Sequence, residues 1–388
     1  MNRILRAFLL SVILVPSVYS GQTPLLENLD LRSLGNSLPE AVQPSAPQPV
    51  YTPAPESGSY DWSGLPAYVF TENERISPVL VEAIDRANTT LDVALYNLQL
   101  KDTVKALVRA KDRGVKVRVI FDYKHVYPTA GPEIQAVINS GIETRALEGK
   151  GSYGSMHCKY AVFDGTFLQT GSANWSFSAE NTSFENLMFI NDGNIVRGYA
   201  ADFEWMWRQA KPTGAGAAAP SGKPGPVPSD PKPSVRFNGI TLPNYVFSPN
   251  GGTEAFIAKA VDAAEKEVDV AMFTFTSRPI MAALGRAAAR GVTVKLMLYE
   301  KSAFTFQKEV SRNKINFRLK SGRSGNGLMH NKFAVIDDRL LINGSFNWSN
   351  TAERNSMENT IFTTKPEYVT PYKAEFDKLF KLSYEPQP

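Results

Sequence analysis

Cysteine and histidine are scarce in this chain: one Cys and three His in 388 residues. A lone cysteine excludes an intrachain disulfide framework and any zinc site built from several thiolates. Charge of neither sign dominates, with Lys+Arg 42 against Asp+Glu 38. At 21% charged and 43% hydrophobic the composition is that of a globular protein rather than a disordered one. Long apolar runs are also missing. The run Ala7–Val18 follows Arg3 and Arg6 and leads to small residues at Ser17 and Ser20. It falls short of the ~20 residues that span a bilayer and reads as a secretory signal peptide, residues 1–20, cleaved before Gly21. The chain is therefore expected to be exported, periplasmic or extracellular. Losing Arg3 and Arg6 leaves 40 cations against 38 acids, so global charge makes no case for a nucleic-acid partner.

Proline, at 26 residues, is plentiful but clustered. Residues 21–60 carry Pro24, Pro39, Pro44, Pro47, Pro49, Pro53 and Pro55 with little apolar periodicity, and residues 213–240 are rich in Pro, Gly and Ala. The first is expected to be a disordered tether and the second a linker. They leave two segments, 61–212 and 241–388, and these are copies. Leu65-Pro66-Ala67-Tyr68-Val69-Phe70 matches Leu242-Pro243-Asn244-Tyr245-Val246-Phe247, and Arg113-Gly114-Val115 matches Arg290-Gly291-Val292. The offset is 177 residues up to Val115 and 173 from Met156 onward, so the first copy carries four extra residues between these points. Repeats this long are a duplicated domain, not a solenoid.

Each copy alternates element types. Apolar residues at helical spacing mark Ile76–Ala87 and Asp102–Arg113, with β-prone runs at Leu91–Leu98 and Val115–Phe121. The second copy repeats this with helices Thr253–Ala264 and Arg278–Arg290 and strands Val268–Phe275 and Val292–Leu298. The order predicts an α/β fold: two similar domains, each a mixed sheet covered by helices.

Two of the three histidines occupy equivalent places in the repeat. The first copy reads Met156-His157-Cys158-Lys159, then Asp164, then Gly171-Ser172-Ala173-Asn174; the second reads Met329-His330-Asn331-Lys332, then Asp337, then Gly344-Ser345-Phe346-Asn347. Both fit H-x-K-x4-D-x6-G-S-x-N without a gap, and a Glu follows 28 residues after each His, Glu185 and Glu358. Along a strand, residues i and i+2 face one way, so His157 and Lys159 share a side while Cys158 faces the core. One His, one Lys, one Ser and one Asn make half a site. Two such halves face to face supply two imidazoles, two cations and several donors, a set suited to a phosphate diester. His125 has no counterpart in the second copy and is expected to be a bystander.

The duplicated motif resembles that of the phospholipase D superfamily, over about Leu65–Arg208 and Leu242–Leu382. The resemblance implies two domains packed about a pseudo-twofold axis around one active site, with no cofactor and no metal. It also implies that His157 attacks phosphorus to form a phosphohistidine, while His330 protonates the leaving alcohol and then activates water. Lys159, Lys332, Asn174 and Asn347 would bind the phosphoryl oxygens, assisted by Ser172 and Ser345. Glu185 and Glu358 would each accept a histidine Nδ1–H, leaving Nε2 free. Asp164 and Asp337 read as structural, and Trp175 and Trp348 as core. With both half-sites in one chain, the enzyme is expected to act as a monomer without an obligate protein partner.

The substrate is less legible. Family members cut nucleic acids, remove phospholipid headgroups or transfer phosphatidyl groups. The compact domains, and the seven cations against one acid in residues 308–332, favour a nuclease acting on a polyanionic strand. An exported phospholipase D is the alternative. A phosphatidyltransferase or an inactive phosphate-binding protein ranks lower.

Overall fold

The structure is a computed structural model that describes residues 61–213, 225–302 and 306–386. The expected signal peptide, the tether and the first part of the linker lie outside the described residues. In chain order the first half comprises β1 (Tyr68–Phe70), α1 (Ile76–Arg86), β2 (Thr90–Leu95), α2 (Lys101–Asp112), β3 (Lys116–Asp122), α3 (Tyr123–Val126), α4 (Pro132–Asn139), β4 (Glu143–Leu147), β5 (Lys159–Phe163), β6 (Phe167–Gly171), α5 (Phe177–Asn181), β7 (Asn186–Ile190), α6 (Gly193–Gln209) and β8 (Lys211–Pro212). The second half comprises β9 (Val235–Phe237), β10 (Ile240–Leu242), β11 (Tyr245–Ser248), α7 (Thr253–Asp262), β12 (Glu267–Met272), α8 (Arg278–Ala289), β13 (Thr293–Tyr299), α9 (Gln307–Arg312), β14 (Asn316–Lys320), β15 (Lys332–Ile336), β16 (Leu340–Gly344), α10 (Asn350–Arg354), β17 (Glu358–Thr363) and α11 (Pro366–Lys381).

The local sequence explains these elements. α1 buries Ile76, Val79, Leu80, Ala83 and Ile84, the stripe expected of an amphipathic helix. α2 stops at Gly114, whose φ of +93° is open to glycine at little cost. Parallel β2, β3 and β4 follow from the helical crossovers, and β5, β6, β7 and β1 extend the sheet antiparallel in the order β1-β7-β6-β5-β2-β3-β4-β8. The second sheet repeats the order as β11-β17-β16-β15-β12-β13-β14. The mixed α/β architecture is thus the expected one.

One expectation changes. The segment assigned to the linker up to residue 240 ends in a hairpin, β9–β10, pairing Phe237 with Ile240. Val235 and Phe237 are buried, and Asn238-Gly239 turns with both φ values positive. Asn-Gly between apolar residues is a hairpin signal in its own right.

Three apolar cores organise the packing. α1, α2 and α4 cover one face of the first sheet, and α7, α8 and α9 cover one face of the second. The other faces of both sheets share a single core with α6 and α11. Gly198 on α6 lets Tyr245 of β11 approach so closely that a Cβ there would lie 2.1 Å from the ring. Polar side chains bridge the same interface: Asn186 donates to Asn331 (2.7 Å), Thr170 to Asn359 (2.8 Å) and Asn343 to Asn186 (3.0 Å). Joining the halves is what assembles the site.

Candidate active site

His157 and His330 stand two residues before β5 and β15, where each chain runs along the other half. The His157 amide donates to Met357 O (2.9 Å) and the His330 amide to Phe184 O (2.9 Å). The side chains cross in the same way. His157 Nδ1 bonds Glu358 Oε2 at 2.9 Å, and His330 Nδ1 bonds Glu185 Oε1 at 2.7 Å. Each half therefore supplies the imidazole of one pair and the carboxylate of the other. Spacing within a copy placed His and Glu in equivalent positions but carried no information on which Glu meets which His.

Each carboxylate is held in turn. Ser172 Oγ donates to Glu185 Oε2 (2.7 Å) and Ser345 Oγ to Glu358 Oε2 (2.6 Å). The serine oxygens also accept the amides of Asn186 and Asn359, at 3.0 Å each. Both serines are fully buried. They were expected to assist at the phosphoryl oxygens; their hydroxyls are given to the carboxylates that bond the histidines. The motif glycines explain the close approach, since a Cβ on Gly171 or Gly344 would lie 2.3 or 2.2 Å from the carbonyl of Asn186 or Asn359.

Lys159 and Lys332 are buried, and their Nζ atoms donate to His157 O (2.5 Å) and His330 O (2.7 Å). Burial pushes both ammonium groups down, Lys159 to about 8 and Lys332 to about 7. Asn174 and Asn347 are half-buried, and in both the Oδ1 is buried without a hydrogen-bond partner among the described residues. Burial lowers His157 to about 4, against the pull of Glu358. It lowers His330 further with the help of Lys332, Lys159 and His157, and it raises Glu185 to about 8. Burial thus favours the neutral form of both rings.

The third motif residues lie elsewhere. Asp164 accepts the amides of Asn88, Thr89 and Thr90, and Asp337 those of Glu265, Lys266 and Glu267, tying each α1–β2 or α7–β12 connection to the sheet. Trp175 and Trp348 are core residues, as expected.

Two residues at the site were missed. Tyr96 packs edge-on against His157 (4.8 Å between ring centroids) and lies 4.9 Å from Lys159 Nζ; Phe273 does the same for His330 (4.6 Å) and Lys332 (5.1 Å). They share the 177-residue offset of the repeat, which was the signal available. The basic stretch 308–332 is not one track. Lys308 and Arg312 lie on α9, Arg318 packs on Phe380, Lys320 covers Phe184, and Arg323 donates to the carbonyls of Ser183 and Glu180. Consecutive residues on a strand, a turn and a helix do not share a face.

A family model described as "Cardiolipin synthase, PLD-like domain" matches residues 80–207 and again 257–380, the two halves that meet at the crossed pairs. The chain belongs to the phospholipase D superfamily. It is 34% identical over 127 residues to a mitochondrial cardiolipin hydrolase of Xenopus tropicalis, a match covering 33% of this chain and 59% of that protein. It is 33% identical over 129 residues to a phospholipase D of Rickettsia conorii, covering 32% of this chain and 63% of that one. Among solved structures, phosphatidylserine synthase of Haemophilus influenzae aligns over 81% of this chain and 86% of its own, with a TM-score of 0.59 at 12% identity, a likeness of fold. No helix among the described residues is long and apolar enough to cross a membrane.

Proposed function

We propose that the protein is an exported phosphodiesterase that hydrolyses phosphate diesters through a phosphohistidine, with a nucleic-acid strand as substrate. The crossed His157–Glu358 and His330–Glu185 pairs carry this reading. Each glutamate accepts Nδ1–H and leaves Nε2 facing the reacting phosphorus. The lowered His157 is neutral near pH 7 and supplies the lone pair that attacks, forming an N–P bond as the P–O bond to the leaving alcohol breaks. His330 gives that alcohol its proton. The buried negative charge of the diester counters Lys159 and Lys332, which favours protonated His330 once substrate is bound. In the second step His330 takes a proton from water, the hydroxide attacks phosphorus, and the N–P bond to His157 breaks. Lys159, Lys332 and the amides of Asn174 and Asn347 neutralise charge on the equatorial oxygens.

The nucleic-acid preference rests on the first-half rim. The loop leading to His157 carries exposed Lys150 and Tyr153, the latter 85% exposed. α3 adds Lys124, which holds that loop through Ser152 O and Gly154 O, and is followed by exposed Tyr127. Cations interleaved with tyrosines suit a single strand's phosphates and bases. A second reading, removal of a phospholipid headgroup, is favoured by the names of the cardiolipin hydrolase and phospholipase D relatives.

The test uses bis(p-nitrophenyl) phosphate, single-stranded DNA and phosphatidylcholine vesicles, each with and without EDTA. His157→Asn and His330→Asn are each expected to lower turnover of the first substrate by at least about 10²-fold, and the wild type to nick DNA with EDTA present. Full activity in both variants would refute the chemistry. Choline release without nicking would replace the substrate.

A further inference from the structure

The two halves of the site are alike in their reacting groups and unlike in their walls. Beside His330 the inner ring is apolar: it is Phe273, which stacks on Tyr299 with ring centroids 5.3 Å apart. Beside His157 the corresponding ring is Tyr96, and its far neighbour is the His125 imidazole, edge-on at 4.5 Å. In the second copy β13 is followed by Glu300, Lys301 and Ser302, with no histidine beyond the ring. The third histidine, expected to be a bystander, is therefore one aromatic ring away from the first.

His125 lies in the segment that holds the extra residues of the first copy. From the end of β3 to the end of α4 the chain uses residues 123–139, whereas from the end of β13 to the end of α9 it uses only 300–312. This places the four-residue excess within 123–139, a segment that opens with the short helix α3 capped by Asp122, whose carboxylate accepts the amides of Lys124 and Met156. Asp122 thereby fixes α3 to the residue that precedes His157. The imidazole of His125 is half-buried, and burial and the Lys159 ammonium hold its pKa down. Neither its ring nitrogens nor the Tyr96 hydroxyl has a hydrogen-bond partner among the described residues. Both groups are half-buried rather than sealed, so their polar atoms can bond a ligand held beside His157.

We propose that His125 and the Tyr96 hydroxyl bind the sugar–phosphate next to the scissile diester, making the His157 side the specificity side of the site. This rests on the nucleic-acid reading above and deepens it. A neutral imidazole offers one N–H and one acceptor, and the phenol another of each, matching the hydroxyl, ester and phosphate oxygens of a neighbouring nucleotide. Phe273, the inner ring on the His330 side, has no such groups to offer and receives a flat or apolar part of the substrate.

The experiment compares kcat/KM for a short single-stranded oligodeoxynucleotide with that for bis(p-nitrophenyl) phosphate, which has no neighbouring phosphate. In His125→Ala the ratio of the two is expected to fall about tenfold, mainly through KM. Tyr96→Phe, which keeps the ring against His157, should shift the ratio the same way. His125→Gln, which keeps an N–H donor, should recover part of the loss and guards against a folding defect in the alanine variant. A ratio unchanged in all three variants, or equal losses on both substrates, overturns the subsite and leaves the nuclease reading standing. A wild type that hydrolyses bis(p-nitrophenyl) phosphate but no oligonucleotide overturns the nuclease reading and this subsite with it.

Discussion

At the scale of residues, the two imidazoles share equivalent carboxylate partners, and their charge state follows from burial. His157, held at about 4, protonates only in acid, so kcat/KM should fall as pH drops through about 4. Lys332 and Lys159, held at about 7 and about 8, lose their charge as pH rises past those values, so KM should climb on the alkaline side. A pH–rate profile on bis(p-nitrophenyl) phosphate reads both limbs. An acid limb at the ordinary histidine value of about 6.5 would contradict the burial of His157. Cys158 sits between His157 and Lys159, fully buried with its Sγ 3.5 Å from Met357 O, and burial pushes the thiol up. It should resist an aromatic disulfide reagent in the native protein and react once the chain is unfolded. Reaction in the native state would mean that the strand start faces the other way. The motif residues were legible because each recurs at a fixed offset. Their pairing was not, because an offset gives equivalence between positions, and the crossed pairs depend on how the halves dock. His125 was passed over for the complementary reason: it has no copy.

At the scale of elements, the helix and strand cores were readable from periodicity, with ends moving by a few residues, and the motif aspartates were rightly taken as structural. Asp164 shows why. Its carboxylate satisfies three amides at the turn into β2, so Asp164→Ala should cost about 3 kcal/mol in denaturant unfolding while the folded fraction keeps its kcat. A lower kcat in fully folded Asp164→Ala would make the residue part of the chemistry. On α6, buried Asp202 accepts the Tyr160 hydroxyl at 2.9 Å, and burial raises its carboxyl to about 8. A raised acid stabilises the fold below its unfolded pKa of about 3.8, and that stability is lost as pH rises through the folded value. Asp202→Asn keeps an amide near Tyr160 without the ionisation, and should raise Tm at pH 8 by a few degrees while flattening the decline between pH 4 and 8. The hairpin β9–β10 is masked in the sequence by its setting, since a proline-rich flank precedes Val235, Phe237 and the Asn238-Gly239 turn.

At the scale of the molecule, the site exists only where two half-sites meet, and the shared core with α6 and α11 sets their spacing. The contact of Gly198 with Tyr245 should be sensitive for that reason. Gly198→Ala places a methyl against the ring and should cost about 1–3 kcal/mol, and Tyr245→Leu in the same chain should return part of it. Parallel losses of stability and turnover, both relieved in the double variant, would tie catalysis to the docking of the halves. Turnover unaffected by the wedge would separate them. We propose, more narrowly, that His157 makes the bond to phosphorus and His330 moves the protons. p-Nitrophenolate needs no protonation to leave, so the first step on bis(p-nitrophenyl) phosphate should survive in His330→Asn while water activation fails. Quenching that variant in base and mapping the adduct by mass spectrometry is the most direct measurement. A p-nitrophenylphosphoryl group on His157, absent from His157→Asn, is the predicted result. An adduct on His330 in the His157→Asn variant, or release of p-nitrophenolate with no adduct on either histidine, would contradict it.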